Sequence, residues 1–233
     1  MSENNTHEST AYEKRGYLNH EFRLFHLRGQ MDTPVAYHYH DFHKVLILLN
    51  GEADYIVEGR SYHLRPLDIV LVGAHCLHKP VVPYHSRYER IILYLSPECL
   101  DAFSCADCAL DLCFQLAREQ QSDVLRLGSL AMTPLLEALS RLENAYQTGS
   151  TNDNGTDNAN FESLDGSGSY GAGLLLRLLF LEFMVHLDRA ASENHREYVP
   201  TSPSGEKSWN SCATSLNTQK ETTRSTSSPP AFT

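Results

Sequence analysis

The sequence predicts a mainly β fold, closed as a sandwich or barrel, with helices following it. Three observations carry this. Short apolar runs between residues 45 and 95 are separated at close spacing by turn residues. No long helical pattern interrupts them, which argues against βαβ units. At Ser96-Pro97 the pattern changes, and apolar residues then recur at helical intervals.

The elements follow in order. Val45-Leu-Ile-Leu-Leu49 is an apolar run ending at Asn50-Gly51, which reads as a hairpin turn. Ala53-Asp-Tyr-Ile-Val57 comes next, then a second turn at Glu58-Gly59. Residues 61–65 and 69–72 are two further strands, split by Pro66-Leu67-Asp68, and Ile91-Ile-Leu-Tyr-Leu95 closes the series. Ser96, Pro97 and Glu98 supply an N-cap, a first-turn proline and an acidic residue for a helix start. Helical spacing continues over 109–119, and again from Thr133-Pro134 through Leu135, Leu139 and Leu142.

Residues 147–173 are mostly Gly, Asn, Asp, Ser and Thr and read as a flexible loop. Residues 174–187 form a very apolar helix. Leu175, Leu179, Met184 and Leu187 are expected on one face and Leu178 and Leu181 on another, so that it is buried on several sides. Residues 201–233 hold 15 Ser or Thr, with Leu216 the only aliphatic beyond alanine, a composition that predicts disorder.

The 233 residues are 41% hydrophobic and 21% charged, ordinary globular usage. A formal charge of −10 repels phosphate backbones, so the chain is a poor nucleic-acid binder by itself. The polar N-terminus lacks the apolar core of a signal peptide. Arg177 and Glu182 interrupt the longest apolar stretch, which is too short for a membrane span. Six cysteines, at 76, 99, 105, 108, 113 and 212, form no secreted disulfide framework. Cys105-Ala-Asp-Cys108 and Cys113 read as small, buried or half-buried thiols rather than a zinc site, since no second ligand pair lies nearby. A cytoplasmic protein with reduced thiols is expected.

Seven of the 12 histidines lie between residues 38 and 85. In a strand, His38 and His40 point the same way, and His78 joins them if the barrel closes around it. Three neutral imidazoles on one wall can bind a transition metal; the plainer reading is a polar pocket. Tyr37, Tyr39, Tyr55 and Phe42 suit a small-molecule pocket or an ordinary barrel core.

His38-x-His40, Asn50-Gly51, Tyr62-x-Leu64-Arg65-Pro66-Leu67-Asp68-Ile69-Val70-Leu71 and His78-Lys79-Pro80 together resemble a cupin. More narrowly, they resemble the N-terminal sensing domain of AraC-type transcriptional regulators. Tyr88-Glu89-Arg90-Ile91-Ile92 and Ser96-Pro97-Glu98-Cys99-Leu100 resemble the end of that barrel and the start of its helical part. The resemblance covers about residues 20–195. It implies a double-stranded β-helix, a jelly-roll barrel that binds an effector, followed by helices that form a homodimer.

The expected organisation is a flexible arm at 1–19, an effector barrel at 20–96, a helical dimerisation region at 97–195 and a disordered tail at 196–233. The effector is a small organic molecule, with a sugar among the candidates, held by His38, His40, Tyr55 and His78 and with no cofactor. Metal-binding cupins carry a glutamate where this chain has Lys44 and Val45, and Pro-x-Gly where it has Pro66-Leu67-Asp68, so a full metal set is not expected. The alternative is a small cupin metalloenzyme, a dioxygenase or isomerase, using His38, His40 and His78.

The family binds DNA through helix-turn-helix units, which the sequence after residue 195 does not show. Plausible codons for residues 207–232, read one frame over, give an amphipathic stretch resembling the opening of such a unit. The tail is read as frame-shifted, the alternative being a natural low-complexity segment.

Overall fold

The structure, a computed structural model, describes residues 12–31, 33–149, 170–193 and 196–202. The expectations for the start of the arm, the middle of the loop and the frame-shifted tail lie outside them.

Two sheets face each other. The smaller has the order β1-β3-β8-β5-β6, from β1 (Glu13–Lys14), β3 (His38–Tyr39), β8 (His78–Val81), β5 (Ala53–Val57) and β6 (Arg60–Leu64). The larger has the order β11-β10-β7-β4-β9-β2, from β11 (Arg196–Tyr198), β10 (Val124–Leu127), β7 (Ile69–Val72), β4 (His43–Gly51), β9 (Tyr88–Leu95) and β2 (Phe22–Leu27). This is the mainly β, cupin-like barrel the sequence predicted, with helices behind it.

The helices are α1 (Pro97–Phe103), α2 (Leu112–Glu119), α3 (Ser129–Gly149) and α4 (Ala172–Ser192). Alternation along β4 explains its unbroken apolar run. Val45 and Ile47 face α2, α3 and α4 in the outer core, while Leu46 and Leu48 face Tyr55, Tyr62 and Val72 inside the barrel. Both faces of this strand are covered, so neither needs polar residues.

Several expectations are corrected. Asn50-Gly51 is no hairpin: β4 pairs with β7 and β9, β5 with β6 and β8, and the two residues end β4 where the chain crosses between sheets. Gly51 has φ +99°, and a Cβ there would stand 1.9 Å from the Arg87 carbonyl oxygen, so only glycine fits the corner. Glu58-Gly59 does turn a hairpin, with φ of +48° and +78° as a type I′ turn requires.

The sheet does not stop before residue 97. β10 and β11 come from the stretches read as helical region and tail, and they extend the larger sheet. In the expected arm, β1 pairs in parallel with β3. Helix α3 begins at Ser129, so Pro134 lies inside it rather than at its start. Residues 147–149 and 172–173, read as loop, are helical.

Candidate effector site

The site is built by the strand period. His38 lies on β3, His40 follows it two residues on, and His78 opens β8, where it pairs directly with His38. The three rings cluster, with centroids 4.4 Å apart for His38 and His78, 4.9 Å for His40 and His78 and 5.1 Å for His38 and His40. One nitrogen from each lies within 4.8 Å of the others. All three side chains are buried.

Their orientation follows from backbone bonds. Nδ1–H of His38 donates to the Ala36 carbonyl and that of His78 to the Cys76 carbonyl, each at 2.9 Å, while His40 donates to the carbonyl of Arg15. With every Nδ1–H spent, each Nε2 keeps an acceptor lone pair. Burial pushes the His40 pKa down to about 4, and the charge of Lys44 pushes the same way. His38 and His78 are lowered by the same two causes, burial first. The trio is therefore neutral near pH 7.

Tyr55 stands beside it, its ring parallel to His78 at 6.0 Å between centroids. The expected residues are thus brought together at one end of the barrel interior. Of the other aromatics, Phe42 stacks on His40 at 4.6 Å, whereas Tyr37 packs against Tyr12 and lies under the Lys79 ammonium.

The sequence reading missed four further residues. Lys44 is buried, with its ammonium 5.7 Å from the Tyr55 ring centre. Burial pulls its pKa down to about 7, and nearby Arg90 adds to the effect. Tyr94, opposite Lys44 in the register, lies 5.5 Å from the His40 ring. Arg90 stacks on Tyr88 at 4.2 Å. Tyr88 also lines a cleft of about 300 Å³ with Arg28, Gln30, Asn50, Arg87 and Glu89. The signal was available in the parity of β4: Lys44, Leu46 and Leu48 share the inward face.

Four of these interior atoms have no hydrogen-bond partner among the described residues: His40 Nε2, His78 Nε2, Tyr55 Oη and Tyr88 Oη. Buried polar atoms are nearly always partnered, so these four call for a partner from outside the chain, ordered water included. Three converging imidazole nitrogens suit a cation in geometry. The donor set is three imidazoles kept neutral chiefly by burial, and among the described residues no carboxylate joins the cluster. Three neutral histidines can hold a transition ion without a carboxylate, so the donor set is compatible with one.

The fold is a mainly β, cupin-like two-sheet barrel, with four buried polar atoms in its interior that lack a partner among the described residues. The chain belongs to the AraC-like ligand binding domain family, whose model matches residues 20–153. No curated protein matches. Among solved structures, the chain is similar to a cupin-like protein from Thermotoga maritima (15% identity, TM-score 0.31, covering 34% of this chain and 60% of that one). It is also similar to a cupin 2 conserved barrel domain protein from Salinispora arenicola (17%, 0.31, 37% and 72%). A third similar structure is the salicylate 1,2-dioxygenase from Pseudoaminobacter salicylatoxidans (15%, 0.30, 32% and 22%). The aligned part spans less than two thirds of the dioxygenase and of the Thermotoga chain.

Proposed function

We propose that this chain is the effector-sensing and dimerising part of an AraC-type transcriptional regulator in the cytoplasm. It works by binding rather than by catalysis. The observation that carries this is the set of four unpartnered polar atoms inside the barrel. They ask for a small molecule rich in hydroxyl groups, a sugar being one such, because the histidine nitrogens accept and the tyrosine hydroxyls can do either.

The arm reports on the site: Arg15, next to β1, supplies the carbonyl that holds His40. An occupant that moves His40 shifts the balance between arm positions. DNA would be reached only through a helix-turn-helix unit, which the described residues do not contain.

The homodimer rests on α4. Leu176, Phe180, Phe183, Met184 and Leu187 are buried in the outer core, while Leu174, Leu175 and Leu178 are 60%, 55% and 55% exposed. This corrects the expected facing, in which Leu175 sided with Met184 and Leu187. A second copy of the chain is the occupant proposed for this stripe.

The test is a thermal-shift screen of sugars and other polyols, followed by titration calorimetry on any hit. His78→Ala should weaken binding of the hit by about ten-fold or more, the cost of one buried hydrogen bond.

The metalloenzyme reading has one observation in its favour, the convergence of the three histidine nitrogens. It predicts about one equivalent of a transition metal after metal-supplemented expression. Metal at that level would overturn the sensor reading in its metal-free form. Below about a tenth of an equivalent, the enzyme reading falls.

A further inference from the structure

Lys44 is not explained by hydrogen bonding to an effector alone. It stands on β4 facing inward, 6% exposed, among Tyr55, Tyr94 and the three histidines. A buried lysine is costly unless paired. Among the described residues no carboxylate forms an ion pair with it, and the neighbouring charge is that of Arg90. The contrast with the other described lysines is sharp. Lys14 is bound to Asp41 at 2.6 Å on the surface, with its pKa raised, and Lys79 is only half-buried over Tyr37. Among the described lysines, Lys44 alone is buried and without an ion pair, and it stands beside unpartnered polar atoms.

We propose that the Lys44 amine captures a small hydroxylated aldehyde or ketone as a reversible imine inside the barrel. This rests on the reading of the barrel as an effector pocket and names the chemical class that pocket takes. The amine must be uncharged to attack, and its lowered pKa leaves much of it so near neutral pH.

The step balances without an outside reagent. The Lys44 nitrogen lone pair forms a bond to the carbonyl carbon, and a proton passes from nitrogen to the former carbonyl oxygen, giving a carbinolamine. That hydroxyl leaves with the second nitrogen proton as one water, and a carbon–nitrogen double bond remains. Nothing is oxidised or reduced. Neutral Nε2 atoms of His40 and His78 accept from hydroxyls on the ligand, and Tyr55, whose ring faces the amine, offers its unpartnered hydroxyl to the departing oxygen. A bare aldehyde would leave those acceptors empty, which is why the hydroxylated class is favoured.

The experiment uses the full chain with glyceraldehyde and cyanoborohydride at pH 7, read by intact mass and peptide mapping. The expected result is one dominant reduced adduct on Lys44, exceeding labelling at Lys14 and Lys79 by at least about ten-fold. Lys44→Met should lose that adduct while remaining folded, since its burial suits an apolar chain of similar length. Glyceraldehyde should also raise the melting temperature before reduction.

Adducts spread over the exposed lysines with Lys44 unlabelled would overturn the imine. If glyceraldehyde or a polyol still stabilises the chain in that case, the pocket reading stands and only the covalent step is lost. Absence of both labelling and stabilisation by any polyol or carbonyl compound overturns both.

Discussion

At the residue scale, the buried histidines set the response to acid. His40 and His43 are both lowered from 6.5 to about 4, chiefly by burial. A depressed pKa means that folding favours the neutral ring. The stability this represents is complete above pH 6.5 and is lost as pH falls through 4. A tenfold loss of proton affinity on folding corresponds to about 1.4 kcal/mol, so the chain should lose several kcal/mol between pH 7 and pH 4. Denaturant unfolding at intermediate pH values measures this; a flat profile would contradict it.

Asp188 works in the opposite direction. Its carboxylate accepts from the Cys113 backbone N–H at 2.8 Å in the first turn of α2, yet burial wins and raises its pKa to about 6. Its contribution is present below about 3.8 and lost as pH rises through 6. Asp188→Asn keeps an acceptor for the Cys113 N–H and removes the charge. It should be more stable than the parent by roughly 1–2 kcal/mol at pH 7.5, with little difference at pH 4. The histidine site was legible because the His38-x-His40 spacing is a direct statement of strand period. Lys44 was not, because its sequence position read only as a missing glutamate.

At the element scale, β10 shows what local patterning cannot supply. Its four residues lie between two helices, and charges hold them to the barrel. Arg126 makes a bidentate pair with Asp68 at 2.7 Å for both bonds, while Arg60 and Tyr62 both bind Asp123, the residue before the strand. Asp68 is 1% exposed. Arg126→Ala would strand that carboxylate and should cost about 3 kcal/mol or more, with hydrogen exchange rising first in β10 and β11.

By contrast, β5 and β7 were read to the residue, because alternation or an unbroken β-branched run announces them. β8 was hidden by Pro80, which lacks a ladder donor. It is tolerated because β3 pairs with β8 only at His38 and His78, leaving that edge open beyond. Asn50-Gly51 misled for a related reason: a glycine signals a sharp change of direction, not which strand receives the chain.

At the scale of the whole molecule, the mainly β barrel with trailing helices was evident from strand spacing and from the cap at Ser96, which accepts from Cys99 N–H as expected. That the sheet draws in segments beyond residue 120 was not, since pairing at long sequence separation leaves no local trace. The stripe on α4 sets the assembly prediction. Leu174→Glu with Leu178→Glu should convert a dimer to a monomer in sedimentation velocity. The fold should change by less than about 1 kcal/mol, because neither side chain is in the core. No change in mass would remove the stripe as the dimer seam.

Strand β4 carries a further consequence. Lys44 points into the barrel, and its neighbour His43 points out and stacks on Phe114 of α2 at 4.5 Å. The turn holding Phe114 is fastened by Asp188 to α4. Consecutive residues share a rigid peptide plane, so the strand acts as a partition between two rooms. If Lys44 holds an effector as proposed, any shift of the strand there reaches His43, one residue back, and through it the helices on the other side.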